Sequence, residues 1–180
     1  MPQDNVLDEK LNKSFDMLDY DGDGILEWED YVTFRRRMQE AFSRADKAKQ
    51  DNLARALYNL WLWLLTNCDR DKKDEQITRE EFLSSIREID REWDTAAQPL
   101  VEAQFQLIDQ DGNGSVTLSE FQEYCKVLGL EEDIGVSIFQ ELDDNGDQRI
   151  ELSEFGGLLR DFYVGNDVTS AGTRLVQSGP

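Results

Sequence analysis

Asp109-Gln110-Asp111-Gly112-Asn113-Gly114-Ser115-Val116-Thr117-Leu118-Ser119-Glu120 is the stretch that decides the fold. Oxygen-bearing side chains stand at its first, third, fifth, ninth and twelfth positions, a glycine at the sixth and an aliphatic residue at the eighth. Calcium, a hard divalent cation, takes about 6 to 8 oxygen ligands, and a loop of about 12 residues supplies them from positions 1, 3, 5, 7, 9 and 12 because alternate residues point inward. The sixth position turns sharply into a backbone conformation that side chains resist. On this template Asp109, Asp111 and Asn113 donate side-chain oxygens, Ser115 its carbonyl, Thr117 a hydroxyl or a bound water, and Glu120 both carboxylate oxygens. A solvated acidic run has no reason to satisfy so many positions at once.

Outward from this loop, apolar residues fall at helical spacing: Val101, Phe105 and Ile108 before it, Phe121, Tyr124 and Leu128 after it. The same unit of helix, acidic loop and helix recurs four times. Leu7, Leu11, Phe15 and Leu18 precede the first loop; Leu57, Trp61, Leu64 and Leu65 the second; Ile134, Ile138 and Leu142 the fourth. Tyr31, Phe34 and Met38, then Phe82, Ile86 and Ile89, then Phe155, Leu158, Leu159 and Phe162 follow them. These stripes read as helix core, not as chemistry. One aliphatic residue per loop, Leu26, Ile77, Val116 and Ile150, sits where two loops would pair, first with second and third with fourth. The expected fold is all-α: four helix-loop-helix units in two pairs, with short antiparallel β contacts between paired loops, packed as one compact globule. The expected division is residues 1–92 for the N-terminal pair, 93–165 for the C-terminal pair and 166–180 for a tail.

The other loops depart from the template to different degrees. The first offers Asp19, Asp21, Asp23, the carbonyl of Ile25, Glu27 and Asp30. Asp30 is one methylene shorter than glutamate, so it reaches with one oxygen and leaves a tighter site, nearer the octahedral geometry that magnesium prefers; a mixed calcium/magnesium site is expected. The fourth offers Asp143, Asn145, Asp147, the carbonyl of Arg149, Glu151 and Glu154, but Gln148 replaces the turn glycine. Strain of order 1 kcal/mol there weakens binding about tenfold or less without abolishing it. The second region, Cys68 to Glu81, reads as a loop that has lost its function: counting back twelve from Glu81 puts Arg70 first, two lysines stand among the would-be ligands, and no glycine serves the turn. Its expected role is to pair with the first loop.

A formal net charge of −20 without histidine excludes a phosphate backbone as partner and points to cations. The polar start, Met1-Pro2-Gln3-Asp4-Asn5, is unlike a secretory signal. Leu60-Trp61-Leu62-Trp63-Leu64-Leu65 is far short of the ~20 residues that cross a bilayer. Cys68 and Cys125 make neither a disulfide framework nor a zinc set, and a reducing cytoplasm suits them. A monomer is expected, with a protein target conceivable but not evident. No nucleophile has a partnering base, and Ser119 and Ser153 read as helix-start residues, so no enzyme is expected. The tail from Asn166 to Pro180 has Leu175 and Val176 as its anchors and either packs over the lobes or stays disordered.

The four units, the long helix after the first loop, the degenerate second loop and the ending Asp161-Phe162-Tyr163-Val164-Gly165 together resemble the sarcoplasmic calcium-binding proteins, the bacterial calerythrin group above all. The resemblance implies a compact four-hand globule, three calcium sites built from the residues named above, a silent second site, and a role as calcium buffer or transporter. A sensor of the calmodulin kind would expose a Met-rich groove, and this chain has only Met1, Met17 and Met38. The helix carrying Tyr58, Trp61 and Trp63 is expected to be trapped between the lobes instead of serving a target. Photoproteins share the architecture but rely on histidine near their chromophore, which this chain lacks.

Overall fold

The apolar stripes close on one another as helix-loop-helix units. The computed structural model describes residues 2–68 and 75–175, with side chains from residue 6 onward. Helix α1 (Pro2–Leu18), strand β1 (Ile25–Leu26) and helix α2 (Trp28–Ala41) form the first unit; α3 (Lys47–Cys68), β2 (Ile77–Thr78) and α4 (Arg79–Ile86) form the second. After a 3-10 turn (Ile89–Glu92) and the short α5 (Trp93–Ala96) come α6 (Gln98–Ile108), β3 (Val116–Thr117) and α7 (Leu118–Val127). The last unit is α8 (Glu132–Leu142), β4 (Arg149–Ile150) and α9 (Leu152–Val164), followed by α10 (Ala171–Arg174).

Each exiting helix starts where an acid accepts the backbone N–H of the residue three before it: Asp30 from Glu27, Glu81 from Thr78, Glu120 from Thr117 and Glu154 from Glu151. This is half of a capping box, which satisfies a backbone donor that the helix start leaves without a partner. The ninth and twelfth loop positions therefore start a helix. β1 pairs antiparallel with β2, setting Leu26 opposite Ile77, and β3 with β4, setting Val116 opposite Ile150. All four side chains are fully buried, so each pair of loops is pinned from behind by apolar contact.

The two pairs meet along several helix contacts, α3 along α6, α1 on α9 and α2 on α7, giving one continuous core. Phe15 and Phe82 meet edge to face in the first pair; Phe105, Tyr124 and Phe155 cluster in the second. Lys10, fully buried, donates to the carbonyls of Asp161 and Gly165 and pairs with the Asp161 carboxylate, fastening α1 to α9. Arg160 on α9 pairs with Asp90 at 2.8 Å.

Helix α3 departs from expectation. Leu53, Leu57, Trp61 and Leu64 are buried, whereas Tyr58 and Leu62 are 48% and 43% exposed. One helical turn separates these two, so they share the face opposite the buried stripe, and the helix is covered on one side only. The chain also breaks between α2 and α3, at residues 42–46, so the long helix after the first loop is two helices. The tail packs: α10 lies on α9 and α8, Leu175 is buried, and Arg174 pairs with Glu141 at 3.0 Å. Val176, the other expected anchor, lies outside the described residues.

Candidate metal centres

The third loop is folded around its own carboxylates. Asp109, buried where α6 ends, accepts Gly112 N and Asn113 N on one oxygen and Gly114 N on the other, at 2.9 to 3.1 Å. Asp111 accepts Asn113 N, and Asn113 in turn accepts Ser115 N at 2.9 Å. Glu120 closes the ring, one oxygen on Gln110 N at 3.0 Å and the other on Thr117 N at 2.9 Å. Backbone donors thus hold each acid in place, and oxygens of Asp109, Asp111 and Glu120 lie within 4.8 Å of one another.

The first loop repeats this network: Asp19 accepts Gly22 N and Gly24 N, Asp21 accepts Asp23 N, and Asp23 accepts Ile25 N. Here the three gathered oxygens belong to Asp19, Asp21 and Asp23. Asp30 bonds Tyr20 N at 3.2 Å and Glu27 N at 2.9 Å, in the manner of Glu120. Burial pushes its carboxyl above the usual range; the two backbone donors oppose this, and Asp21 and Asp19 add to it. Glu27 is engaged from outside its loop, accepting Gln76 Nε2 of the second.

In the fourth loop Asp143 accepts Asp147 N and Gln148 N, Asn145 accepts Asp147 N, and Asp147 accepts Arg149 N. The closing half differs. Glu154 bonds Glu151 N at 2.7 Å, but Asp144 N goes to the Leu142 carbonyl instead of to Glu154. Among the described residues this loop gathers no trio of acidic oxygens as close as those of the first and third. The Arg149 side chain reaches across to Ser115 Oγ at 2.7 Å, tying the third and fourth loops together.

The sixth position tests the reading of each turn. Gly24 and Gly114 have φ of +84° and +85°, and Gln148 adopts +65°, the strained conformation expected of it. Glu75 has φ +52°, which places it sixth in a loop that ends at Glu81 and begins at Arg70. From residue 75 onward the second region thus keeps the sixth-position turn and the Thr78/Glu81 helix start. Its first five positions, 70–74, and Asp69 lie outside the described residues.

The donor set suits the ion. Asp, Asn and Glu oxygens, backbone carbonyls and a threonine hydroxyl are hard ligands, with no nitrogen or sulfur among them, which fits calcium and magnesium and not the softer transition metals. Three contacts to the loops come from afar and have no counterpart in the sequence reading: Gln76 to Glu27, Arg149 to Ser115, and Lys49 Nζ to the Asp109 carbonyl.

Comparison with known proteins agrees with this geometry. The EF-hand domain pair matches residues 98–160, and a single EF hand matches residues 11–34, segments that contain the third and fourth loops and the first. Calerythrin of Saccharopolyspora erythraea is 25% identical over 166 residues, 89% of this chain and 93% of its own length. The sarcoplasmic calcium-binding proteins I, III and IV of Branchiostoma lanceolatum are 26% identical over 180 residues, 96% of each. A solved calcium-binding protein of Streptomyces coelicolor, described in connection with prokaryotic calcium-mediated regulation, superposes with a TM-score of 0.74 at 25% identity, covering 89% of this chain and 99% of its own.

Proposed function

This chain is a calcium-binding EF-hand protein, homologous to calerythrin and the sarcoplasmic calcium-binding proteins, and from that premise we propose that it buffers or carries calcium inside the cell through three sites. Asp19, Asp21, Asp23, Ile25, Glu27 and Asp30 form the first; Asp109, Asp111, Asn113, Ser115, Thr117 and Glu120 the second; Asp143, Asn145, Asp147, Arg149, Glu151 and Glu154 the third. The remaining loop, Arg70 to Glu81, is a structural partner whose Ile77 and Gln76 brace the first. Magnesium competes at the first loop, because Asp30 is short and already tethered by two backbone donors.

The observation that carries this reading is the gathering of acidic oxygens within 4.8 Å in two loops with the same backbone network. Mutual repulsion of those carboxylates makes the ion-free loops costly, and a divalent ion relieves it. Support for a buffer over a sensor is that, apart from Tyr58 and Leu62 on α3 and Val168, the large apolar side chains of the described residues are packed within the chain. Met38 is fully buried, and α10 packs over α8 and α9. Against a chromophore carrier stands the small space between the two pairs, about 80 Å³ lined by Tyr31, Trp93, Tyr124 and Tyr163, well under the ~300 Å³ of small-molecule sites.

The test is binding of a hydrophobic dye with and without calcium, beside a calcium titration in millimolar magnesium. A buffer shows little calcium-induced dye fluorescence and a magnesium-weakened calcium affinity at one site. Strong calcium-dependent fluorescence would make the protein a sensor.

A further inference from the structure

Helix α3 belongs to the N-terminal pair, yet its first turn is directed at a loop of the C-terminal pair. Lys49 is half-buried there, its Nζ 2.5 Å from the carbonyl oxygen of Asp109, the residue whose carboxylate anchors the third loop. The same ammonium lies 3.8 Å from where a side chain on Gly112 would begin, so it flanks the loop at two points. Two contacts fix its place: Asp46 accepts Lys49 N at 2.9 Å, capping α3, and Asn52 donates to Gln106 on α6 at 3.0 Å. Among the described residues Lys49 makes no ion pair with any single carboxylate, which leaves its charge facing the loop as a whole. That loop gathers the oxygens of Asp109, Asp111 and Glu120 within 4.8 Å of one another, a dense negative charge.

We propose that Lys49 sets the calcium affinity of the third loop: its ammonium stabilises the crowded carboxylates when they are ion-free and repels an arriving dication. Both effects act in the same direction and weaken binding. The site is thereby kept from saturating at low calcium by a residue of the other EF-hand pair, and the strength of that brake depends on how α3 is seated on α6. This inference rests on the reading of the third loop as a calcium site.

The experiment uses the full chain with Asp30→Asn and Glu154→Gln, which removes the position-12 acids of the first and fourth loops and leaves the third to titrate alone. Into this background go Lys49→Gln, which keeps a hydrogen-bond donor without the charge, Lys49→Met, which keeps neither, and Lys49→Arg, which keeps both. The expected result is calcium binding tightened about threefold to tenfold by Gln and by Met at low salt and nearly unchanged by Arg. The gain shrinks in about 0.5 M salt, where the screening length falls to a few ångström. In chelator, Lys49→Gln lowers the melting temperature more than it does with calcium bound. Unchanged or weakened calcium binding in both neutral variants would overturn the proposal and leave Lys49 a strut. No binding in the background itself would overturn the reading of the loop on which it rests.

Discussion

Gln148 holds a left-handed backbone, φ +65°, where Gly24 and Gly114 pass the same turn without a side chain to oppose it. An L-residue there costs of order 1 to 2 kcal/mol, and 1.4 kcal/mol is a factor of ten in affinity. Gln148→Gly is therefore expected to tighten the fourth loop severalfold, up to about tenfold, without altering the third; no change by calorimetry would mean that the strain is relieved on binding. The two cysteines give a second residue-scale outcome. Burial pushes the Cys125 thiol up to about 12, so near pH 8 it remains protonated and unreactive. Cys68, half-buried at the end of α3, is expected to alkylate first under native conditions, and Cys125 only as the fold opens; equal labelling rates would contradict the packing of α7.

At the scale of elements, the second loop tests whether a hand proposed as a structural partner matters to the first. Ile77 is fully buried opposite Leu26, and Gln76 donates to Glu27. Ile77→Ala is expected to cost about 2 to 5 kcal/mol of stability and to weaken calcium at the first loop, although no first-loop residue has changed. A stable variant with normal affinity would show that the first loop stands alone. The helices around each loop were legible because positions 8, 9 and 12 specify a β contact, a helix start and its capping acid together, and Leu26, Ile77, Val116 and Ile150 pair as their spacing foretold. The partners that reach the loops from elsewhere were not legible. Lys49 touches Asp109 across 60 residues and Arg149 touches Ser115 across 34, and no periodicity encodes contacts that only the packing of α3 on α6, or of one loop on the next, creates. The exposed face of α3 was missed for a related reason. Tyr58 and Leu62 are as apolar as their buried neighbours, and composition cannot say which side of a hydrophobic helix finds a partner.

For the whole molecule, the dominant fact is a net charge of −20, concentrated at loops that must each bring several acids together. Three divalent ions would cancel six of those charges while binding the folded chain and not the unfolded one. At a free ion concentration 100 times Kd, each site adds about 2.7 kcal/mol, and each kcal/mol raises the melting temperature of a chain this size by about 2 to 4 °C. Calcium is accordingly expected to raise Tm by more than about 10 °C over the chelated protein, and equal melting temperatures would contradict the picture of ion-free loops made costly by repulsion. Helices α1 and α9, fastened by buried Lys10, join one pair to the other. The most direct test of the account is the number of calcium ions taken up per chain in a calorimetric titration of the chelator-stripped protein. Three are predicted, one of them weakened by magnesium; a stoichiometry of four would restore the second loop as a site, and one of two or fewer would remove the first or the fourth.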